Sequence, residues 1–295
     1  MLGPVTGIAA LNLNGAGDVV IVGASSTNTL TINNAGVVAI VVGGFTSNAA
    51  VGAGQLTTNT TGNIIGGTGT YTGNITGNAT FGGARTINIT VITGQTDFKG
   101  SAGTVNVNDV STLAAVTSSA ATNSKLVFLG GGSVTGVINN IGAITVNAAG
   151  NKTVIFQKSV SATSLTLGNN AVANLQDSLT TSGNVDFTNG GILEFSGANP
   201  AGYLLNSKIK NGNTGTLNVY TTGTTLTATD SSIGTVNTIN IGQGNAAAAF
   251  TIDVSNKALT LGSGINLNNT KSVFGLTTSN HQQVTFMNSV DGFAG

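Results

Sequence analysis

Short segments in which two apolar residues flank one polar residue recur along the chain. Thr104–Val107 (TVNV), Ser164–Leu167 (SLTL) and Thr238–Ile241 (TINI) are examples. Apolar side chains at every second position are typical of β-strands with one buried face. The same pattern predicts strands at Thr86–Ile92, Lys125–Leu129, Ala143–Val146, Asn184–Phe187, Thr216–Val219, Ala258–Leu261 and Val284–Phe286. Gly and Asn between them supply the positive φ angles of tight turns. The sequence therefore predicts an all-β fold.

The spacing of these segments predicts how the strands are arranged. Their first apolar positions are Ile87, Val105, Val127, Ile144, Leu165, Val185, Leu217, Ile239, Leu259 and Val284. Most steps are roughly 20 residues, which is the length of one coil of a β-solenoid. The 32-residue step from Val185 to Leu217 contains an additional apolar pair in Gly191–Phe195, so we predict an insertion there. The predicted fold class is a parallel β-helix (β-solenoid) with coils of roughly 20 residues.

Stacking gives a physical reason for this fold. Strands that bury two side chains each are unstable alone, whereas parallel coils ~4.8 Å apart share one core. Leu165, Leu167, Ile239 and Ile241 are predicted to point inward, and Thr166 and Asn240 outward. Asn and Thr at equivalent turns are expected to form side-chain ladders. A β-sandwich, which also has short strands at regular spacing, is the alternative.

No linker composition interrupts the chain, so we predict one solenoid segment over 1–295. Residues 1–50 are expected to be either an N-terminal cap or the start of the solenoid. The sequence has no basic segment typical of a signal peptide, and Met1–Arg85 lacks Lys. Its longest apolar run, Gly36–Gly44, is far shorter than the ~20 residues of a membrane-spanning helix.

Composition excludes several classes of protein. Nine basic and nine acidic side chains give a net charge of zero, and only 6% of the residues are charged. Nucleic-acid binding requires clustered basic residues, so we predict no nucleic-acid partner. The 44 Gly, 46 Thr and 37 Asn weaken helices, and the absence of Cys excludes disulfide scaffolds. The 40% hydrophobic content argues against disorder.

Catalytic residues are scarce. His281, the single histidine, follows polar residues without a nucleophile motif, and is predicted to be a solvated surface residue. Asp186 and Glu194 are the best candidates for a carboxylate pair that cleaves glycosidic bonds. Both occupy outward strand positions, where exposed charge is expected, and the basic cluster Lys208–Lys210 fits a solvated face. We predict a protein that is not an enzyme and that has no catalytic, cofactor-binding or metal-binding residues.

Longer stretches resemble a known family. Gly215–Asn245 (GTLNVYTTGTTLTATDSSIGTVNTINIGQGN) is followed by Ala258–Leu267 (ALTLGSGINL), and Leu167–Val172 (LGNNAV) and Gly77–Phe81 (GNATF) are of the same kind. These stretches resemble the passenger repeats of the rickettsial surface cell antigens, the outer membrane protein B-like autotransporters. The resemblance covers most of the chain from about residue 52.

The resemblance implies a passenger that is displayed as a β-solenoid on the surface of a Gram-negative bacterium. Such a passenger reaches the outer membrane through a C-terminal translocator barrel, which we expect to lie outside this sequence. Members of the family form a surface protein layer and promote adhesion to and invasion of host cells, as surface antigens and virulence factors. The expected partner is a host-cell surface protein or glycan, with end-to-end self-association as a further expectation. A spacer without a receptor and a carbohydrate-active β-helix enzyme are the alternatives.

Overall fold

A computed structural model describes the protein. It covers residues 2–15, 17, 19–22, 25–32, 38–42, 45–52, 55–58, 74–75, 79–80, 86–89, 91–92, 96–97, 104–107, 110–118, 124–148, 150–168, 170–188, 190–199, 201–243, 246–253, 258–277 and 283–292. The chain divides into two compact units, Met1–Ile144 and Thr145–Gly295. Each unit is described by itself. The prediction of one segment over 1–295 stays a prediction.

The described part of the first unit contains short strands that pair in parallel. They are β1 (Ile8–Leu13), β2 (Val19–Val22), β3 (Ser25–Ile32), β4 (Val38–Val42), β5 (Phe45–Gly52), β6 (Gln55–Thr58), β7 (Asn74–Ile75), β8 (Ala79–Thr80), β9 (Thr86–Ile89), β10 (Val91–Ile92), β11 (Thr96–Asp97), β12 (Thr104–Val107), β13 (Val110–Leu113), β14 (Val116–Thr117), β15 (Lys125–Phe128), β16 (Gly132–Val134) and β17 (Ile138–Val146), which extends two residues beyond the unit.

Pairing in the first unit follows the coil spacing from the start of the chain. Ile8 of β1 pairs with Thr27 of β3, and Val19 of β2 pairs with Ala39 of β4. These partners are about one predicted coil apart, so the described strands β1 to β5 have the parallel pairing of solenoid coils.

The second unit contains the remaining strands and two short 3-10 helices, Gly212–Thr214 and Ser231–Thr235. The strands are β18 (Thr153–Phe156), β19 (Val160–Leu167), β20 (Val172–Leu175), β21 (Leu179–Phe187), β22 (Ile192–Gly197), β23 (Tyr203–Lys210), β24 (Thr216–Thr221), β25 (Thr225–Ala228), β26 (Thr238–Ile241), β27 (Ala249–Asp253), β28 (Leu259–Leu261), β29 (Gly264–Leu267), β30 (Val273–Thr277), β31 (Val284–Phe286) and β32 (Val290–Gly292).

This second unit is a parallel β-solenoid of about seven turns, with roughly 22 residues in each turn. Strands β18, β20, β22, β24, β26, β29 and β32 pair in that order and form sheet I. Strands β19, β21, β23, β25, β27 and β30 form sheet II. The chain alternates between the two sheets, and β28 pairs with β31 in a small third sheet. Because this pairing is parallel, the solenoid prediction is confirmed and the antiparallel sandwich is excluded.

Alternate side chains of both sheets form the core. The predicted inward residues Leu165, Leu167, Ile239 and Ile241 are all at most 1% exposed, which confirms the strand register at these positions. The largest fully buried side chains in the second unit are those of Phe156, Phe187, Phe195 and Phe250. Each strand contributes only about two apolar residues, so the core is stable because neighbouring coils cover one another.

Residues with a left-handed backbone conformation form the corner where the chain returns from sheet II to sheet I. Asn151, Asn170 and Gly190 occupy equivalent positions two residues before a sheet I strand, with φ of 58°, 55° and 80°. Asn and Gly are the residues that adopt this conformation most readily. At Gly215 a Cβ would lie 2.2 Å from the ring of Phe187, so this corner requires glycine for close packing.

Two sequence predictions are wrong about register. Val185 and Leu217 lie in different sheets, so their 32-residue separation is not the length of one coil. The partner of Val185 in the next coil is Ile209, and Leu217 pairs with Leu193 of the preceding coil. The predicted insertion is therefore only a coil a few residues longer than its neighbours. In β15, Leu126 pairs with Val105 and is buried, whereas the predicted anchor Val127 points to the other face.

Candidate functional site

One column of polar side chains runs along the outer face of sheet I. Strands such as β24 (TLNV) and β26 (TINI) place two apolar residues in the core and an amide between them on the outside. In-register pairing stacks these outward residues coil upon coil. We call this column the amide ladder; it consists of Asn174, Glu194, Asn218, Asn240 and Asn266. Asp291 is the register partner of Asn266 in the last coil of the sheet.

Hydrogen bonds in the amide ladder all point toward Glu194. Asn266 Nδ2 donates to Asn240 Oδ1 at 2.8 Å, and Asn240 Nδ2 donates to Asn218 Oδ1 at 3.0 Å. Asn218 Nδ2 donates to Glu194 Oε2 at 3.2 Å, and from the other side Asn174 Nδ2 donates to Oε1 at 2.5 Å. A carboxylate accepts only, whereas an amide both donates and accepts. The single Glu of the chain is therefore the acceptor on which the ladder converges.

Asp186 forms a separate cluster on sheet II. Its carboxylate lies 3.1 Å from Lys210 Nζ, and accepts hydrogen bonds from Asn211 Nδ2 at 2.6 Å and Thr188 Oγ1 at 3.2 Å. Register pairing of β21 with β23 places Lys210 directly beside Asp186. Lys208 and Lys210 are exposed on either side of the buried Ile209, as predicted for a solvated basic face.

The structure does not bring the predicted carboxylate pair together in one cleft. Asp186 and Glu194 lie on the outer faces of two different sheets, and each is bound by neighbouring side chains. His281 lies outside the described residues. Within the described ranges, no group of three His, Cys, Asp or Glu residues could hold a metal ion.

A line of hollows follows the corner where the chain passes from sheet I to sheet II. The first, of about 370 Å³, lies among residues 157–158, 176–177 and 197–199. The second, of about 620 Å³, is lined by residues from 178 to 227, and the third, of about 260 Å³, by residues from 223 to 273. The second and third share Gly223, Thr224 and Thr225. We call this line of hollows the corner groove.

Two tyrosines near these features have a raised pKa. Burial raises the pKa of Tyr203, and the charge of Asp177 adds to the effect. Burial also raises the pKa of Tyr220, with a further contribution from Glu194. Tyr203 is 2% exposed, packs edge-on against the ring of Phe195, and donates a hydrogen bond to the backbone oxygen of Ser196 at 2.7 Å. Both tyrosines therefore favour the neutral phenol in the folded protein.

The sequence predicts ladders of Asn and Thr at the turns. The amide ladder lies instead in the middle of the sheet I strands. The repeated apolar–Asn–apolar triplets were the signal that could have located it. The corner groove has no such signal, because its lining residues come from turns of different length and sequence.

Comparison with known proteins adds no family to this description. Among the described residues, no helix is long and apolar enough to cross a membrane. No protein-family model matches the chain, and no curated protein or solved structure is significantly similar to it.

Proposed function

We propose that this chain is a segment of an autotransporter passenger, displayed on the surface of a Gram-negative bacterium, that contributes to host-cell adhesion or to the surface protein layer. One observation carries the proposal: the second unit is a parallel β-solenoid of short, sparsely charged coils. This fold is compatible with such a passenger, and the stretches from Gly215 to Leu267 resemble rickettsial surface cell antigens. A translocator barrel outside this sequence would provide its attachment to the outer membrane.

The proposed role is non-enzymatic. Its support is the placement of Asp186 and Glu194 on separate sheets, each bound by neighbouring side chains. A solenoid side instead offers a long surface, on which many weak contacts with a host-cell protein or glycan add up. A spacer or lattice element is the second candidate, because the amide ladder satisfies the outward polar groups of sheet I among themselves.

Binding of the labelled 295-residue chain to cultured host cells tests the proposal. We expect saturable binding that excess unlabelled chain competes away, and no binding by chain unfolded in urea and diluted immediately before the assay. Absent or non-saturating binding would contradict an adhesive role and favour the spacer. Polysaccharide cleavage that is lost in the double variant Asp186→Asn, Glu194→Gln would contradict the non-enzymatic assignment.

A further inference from the structure

The corner groove is a surface feature that neither the amide ladder nor the core explains. It is lined by described residues of the turns from sheet I to sheet II and of the strands that follow these turns, in six successive coils from Gln157 to Val273. At a coil spacing of about 4.8 Å, six coils extend over about 24 Å. We propose that the corner groove binds an internal stretch of an extended, uncharged oligosaccharide.

The backbone along the groove is already used between coils. The N–H of Gln176 donates to Phe156 O, that of Thr222 to Gly197 O and that of Val273 to Ala248 O. A peptide that adds to a sheet as a further strand needs unpaired backbone groups at an edge. These three N–H groups are not available to an added strand, so recognition by side chains fits this part of the groove better.

The chemistry of those side chains fits a ligand rich in hydroxyl groups. The central hollow is lined by four hydroxyl side chains, those of Ser178, Thr224, Thr225 and Thr227, beside Tyr203 and Leu204, and none of its described lining residues is charged. A hydroxyl both donates and accepts, and so matches the hydroxyls of a sugar in either direction. Thr224 lies at the junction of two hollows and lines both of them.

Apolar side chains complete the match with sugar rings, which have C–H faces as well as hydroxyl edges. Leu204 in the central hollow is 41% exposed, and Val273 in the last hollow is 57% exposed. The charges along the groove are one acidic and two basic side chains, Asp177, Lys158 and Lys271, at its two ends. A polyanion would need clustered basic residues. An uncharged chain therefore suits the groove better than a sulfated or phosphorylated one.

This inference deepens the proposed function, since an uncharged glycan is one of the two partner classes proposed for the host cell. The lining of the groove supports sugar binding whether or not the chain adheres to cells. Direct binding to purified sugars and binding to cells are therefore separate measurements, and their failures can be told apart.

Isothermal titration of the 295-residue chain tests the proposal. The probes are linear hexasaccharides of glucose, mannose and N-acetylglucosamine, a sulfated heparin hexasaccharide, and a ten-residue peptide of Gly, Ser and Thr. We expect saturable binding of at least one uncharged hexasaccharide and none of the sulfated sugar or the peptide. Binding of none of the uncharged sugars overturns the proposal, and so does preferential binding of the peptide or of the sulfated sugar.

A matched pair of variants places the site. Thr225→Trp fills two hollows from an outward, half-buried position in β25. Thr216→Trp is its control, because Thr216 has the same position in β24 on sheet I, away from the groove. We expect the first to weaken sugar binding at least tenfold and the second to change it less than twofold. Equal losses in both variants overturn the assignment.

A second variant controls for misfolding of the first. Leu204 is exposed, so Leu204→Asn removes the apolar contact without disturbing the core, and should weaken binding severalfold while the circular dichroism spectrum stays unchanged. Unchanged binding in this variant and in Thr225→Trp overturns the proposed site. Cell binding without sugar binding would overturn the groove and leave adhesion intact, whereas sugar binding without cell binding would do the reverse.

Discussion

Sheet I and sheet II of the second unit wrap the same core but differ in regularity. The described strands of sheet I that carry the amide ladder pair in unbroken register, and each presents one polar side chain at the same outward position. Sheet II has register shifts within β19–β21 and β21–β23, and outward positions that differ in type, such as Thr166, Asp186 and Lys210.

The buried hydroxyl groups of the two sheets are paired differently. In sheet I, the hydroxyl of Thr221 donates to the backbone oxygen of Thr224 in the following turn. Sheet II buries a hydroxyl pair, Thr181 and Ser207, whose oxygens lie 2.8 Å apart. Buried polar pairs of this kind are satisfied locally and do not propagate to other coils. Sheet I thus stabilises the stack by repetition, whereas sheet II accommodates the differences in coil length.

Truncating a core phenylalanine should cause the largest loss of stability, and the loss should be the same in both sheets because they share one core. Phe195 in sheet I and Phe187 in sheet II are each 0% exposed. We expect Phe195→Ala and Phe187→Ala each to lower the free energy of unfolding by about 3–5 kcal/mol. Urea denaturation followed by circular dichroism measures this. A cost confined to one sheet would show that the two sheets do not share their core.

Removing a carboxylate should distinguish the sheets. In Glu194→Gln, one Asn of the ladder faces an amide N–H instead of an acceptor, and we expect a loss of about 1–3 kcal/mol. Asp186→Asn is the matched change in sheet II; its partner Lys210 is 60% exposed, so its salt bridge contributes less than about 1 kcal/mol. Equal losses, again measured by urea denaturation, would contradict the special role of the ladder.

Each sheet contains one tyrosine whose raised pKa should make the free energy of unfolding depend on pH in the alkaline range. The ordinary pKa of 10.0 is raised in the fold for Tyr203 of sheet II and Tyr220 of sheet I. A raised pKa favours the neutral form, so stability is complete below about pH 10 and falls as the pH rises through the folded pKa.

Tyr203→Phe should reduce this alkaline loss. The variant also removes the hydrogen bond to Ser196 O, at a cost of about 1 kcal/mol at pH 7. Unfolding in urea at pH 7 to 11 measures both effects. The same slope in the wild-type chain and in the Tyr203→Phe, Tyr220→Phe double variant would rule out the tyrosines as its cause.

The smallest difference in stability between the two sheets is expected for substitutions of single outward residues. Asn240→Ala interrupts the ladder and should cost about 0.5–1 kcal/mol. Thr166→Ala on sheet II should change the free energy of unfolding by less than about 0.5 kcal/mol. Both residues are half-buried, so exposure alone does not separate them. Equal tolerance at the two positions would mean that the ladder hydrogen bonds contribute no net stability.

Periodicity was enough to predict the solenoid and about a third of its described strands. All ten predicted segments contain strands, because alternation of apolar and polar residues directly reports which side chains face the core. The assignment of strands to sheets was not predictable in the same way. Val185 and Leu217 have the same local pattern, and only the turns between them, whose geometry depends on packing such as that of Gly215 on Phe187, determine the sheet each joins.

The amide ladder and the corner groove were harder to predict from the sequence. The Asn of TLNV and of TINI is visible in the sequence, but its hydrogen bonds depend on register across a coil of variable length. The corner groove depends on where six turns lie relative to each other, and no local pattern encodes that placement.

The direction of the amide ladder has a consequence for how such a protein changes in length. Each Asn between Asn266 and Glu194 accepts from one neighbour and donates to the next. A duplicated or deleted coil that carries Asn at this position leaves every other donor and acceptor matched. A second Glu would instead leave an intervening Asn with its carbonyl oxygen against a carboxylate. The ladder thus allows the number of coils that carry Asn to vary by gene duplication.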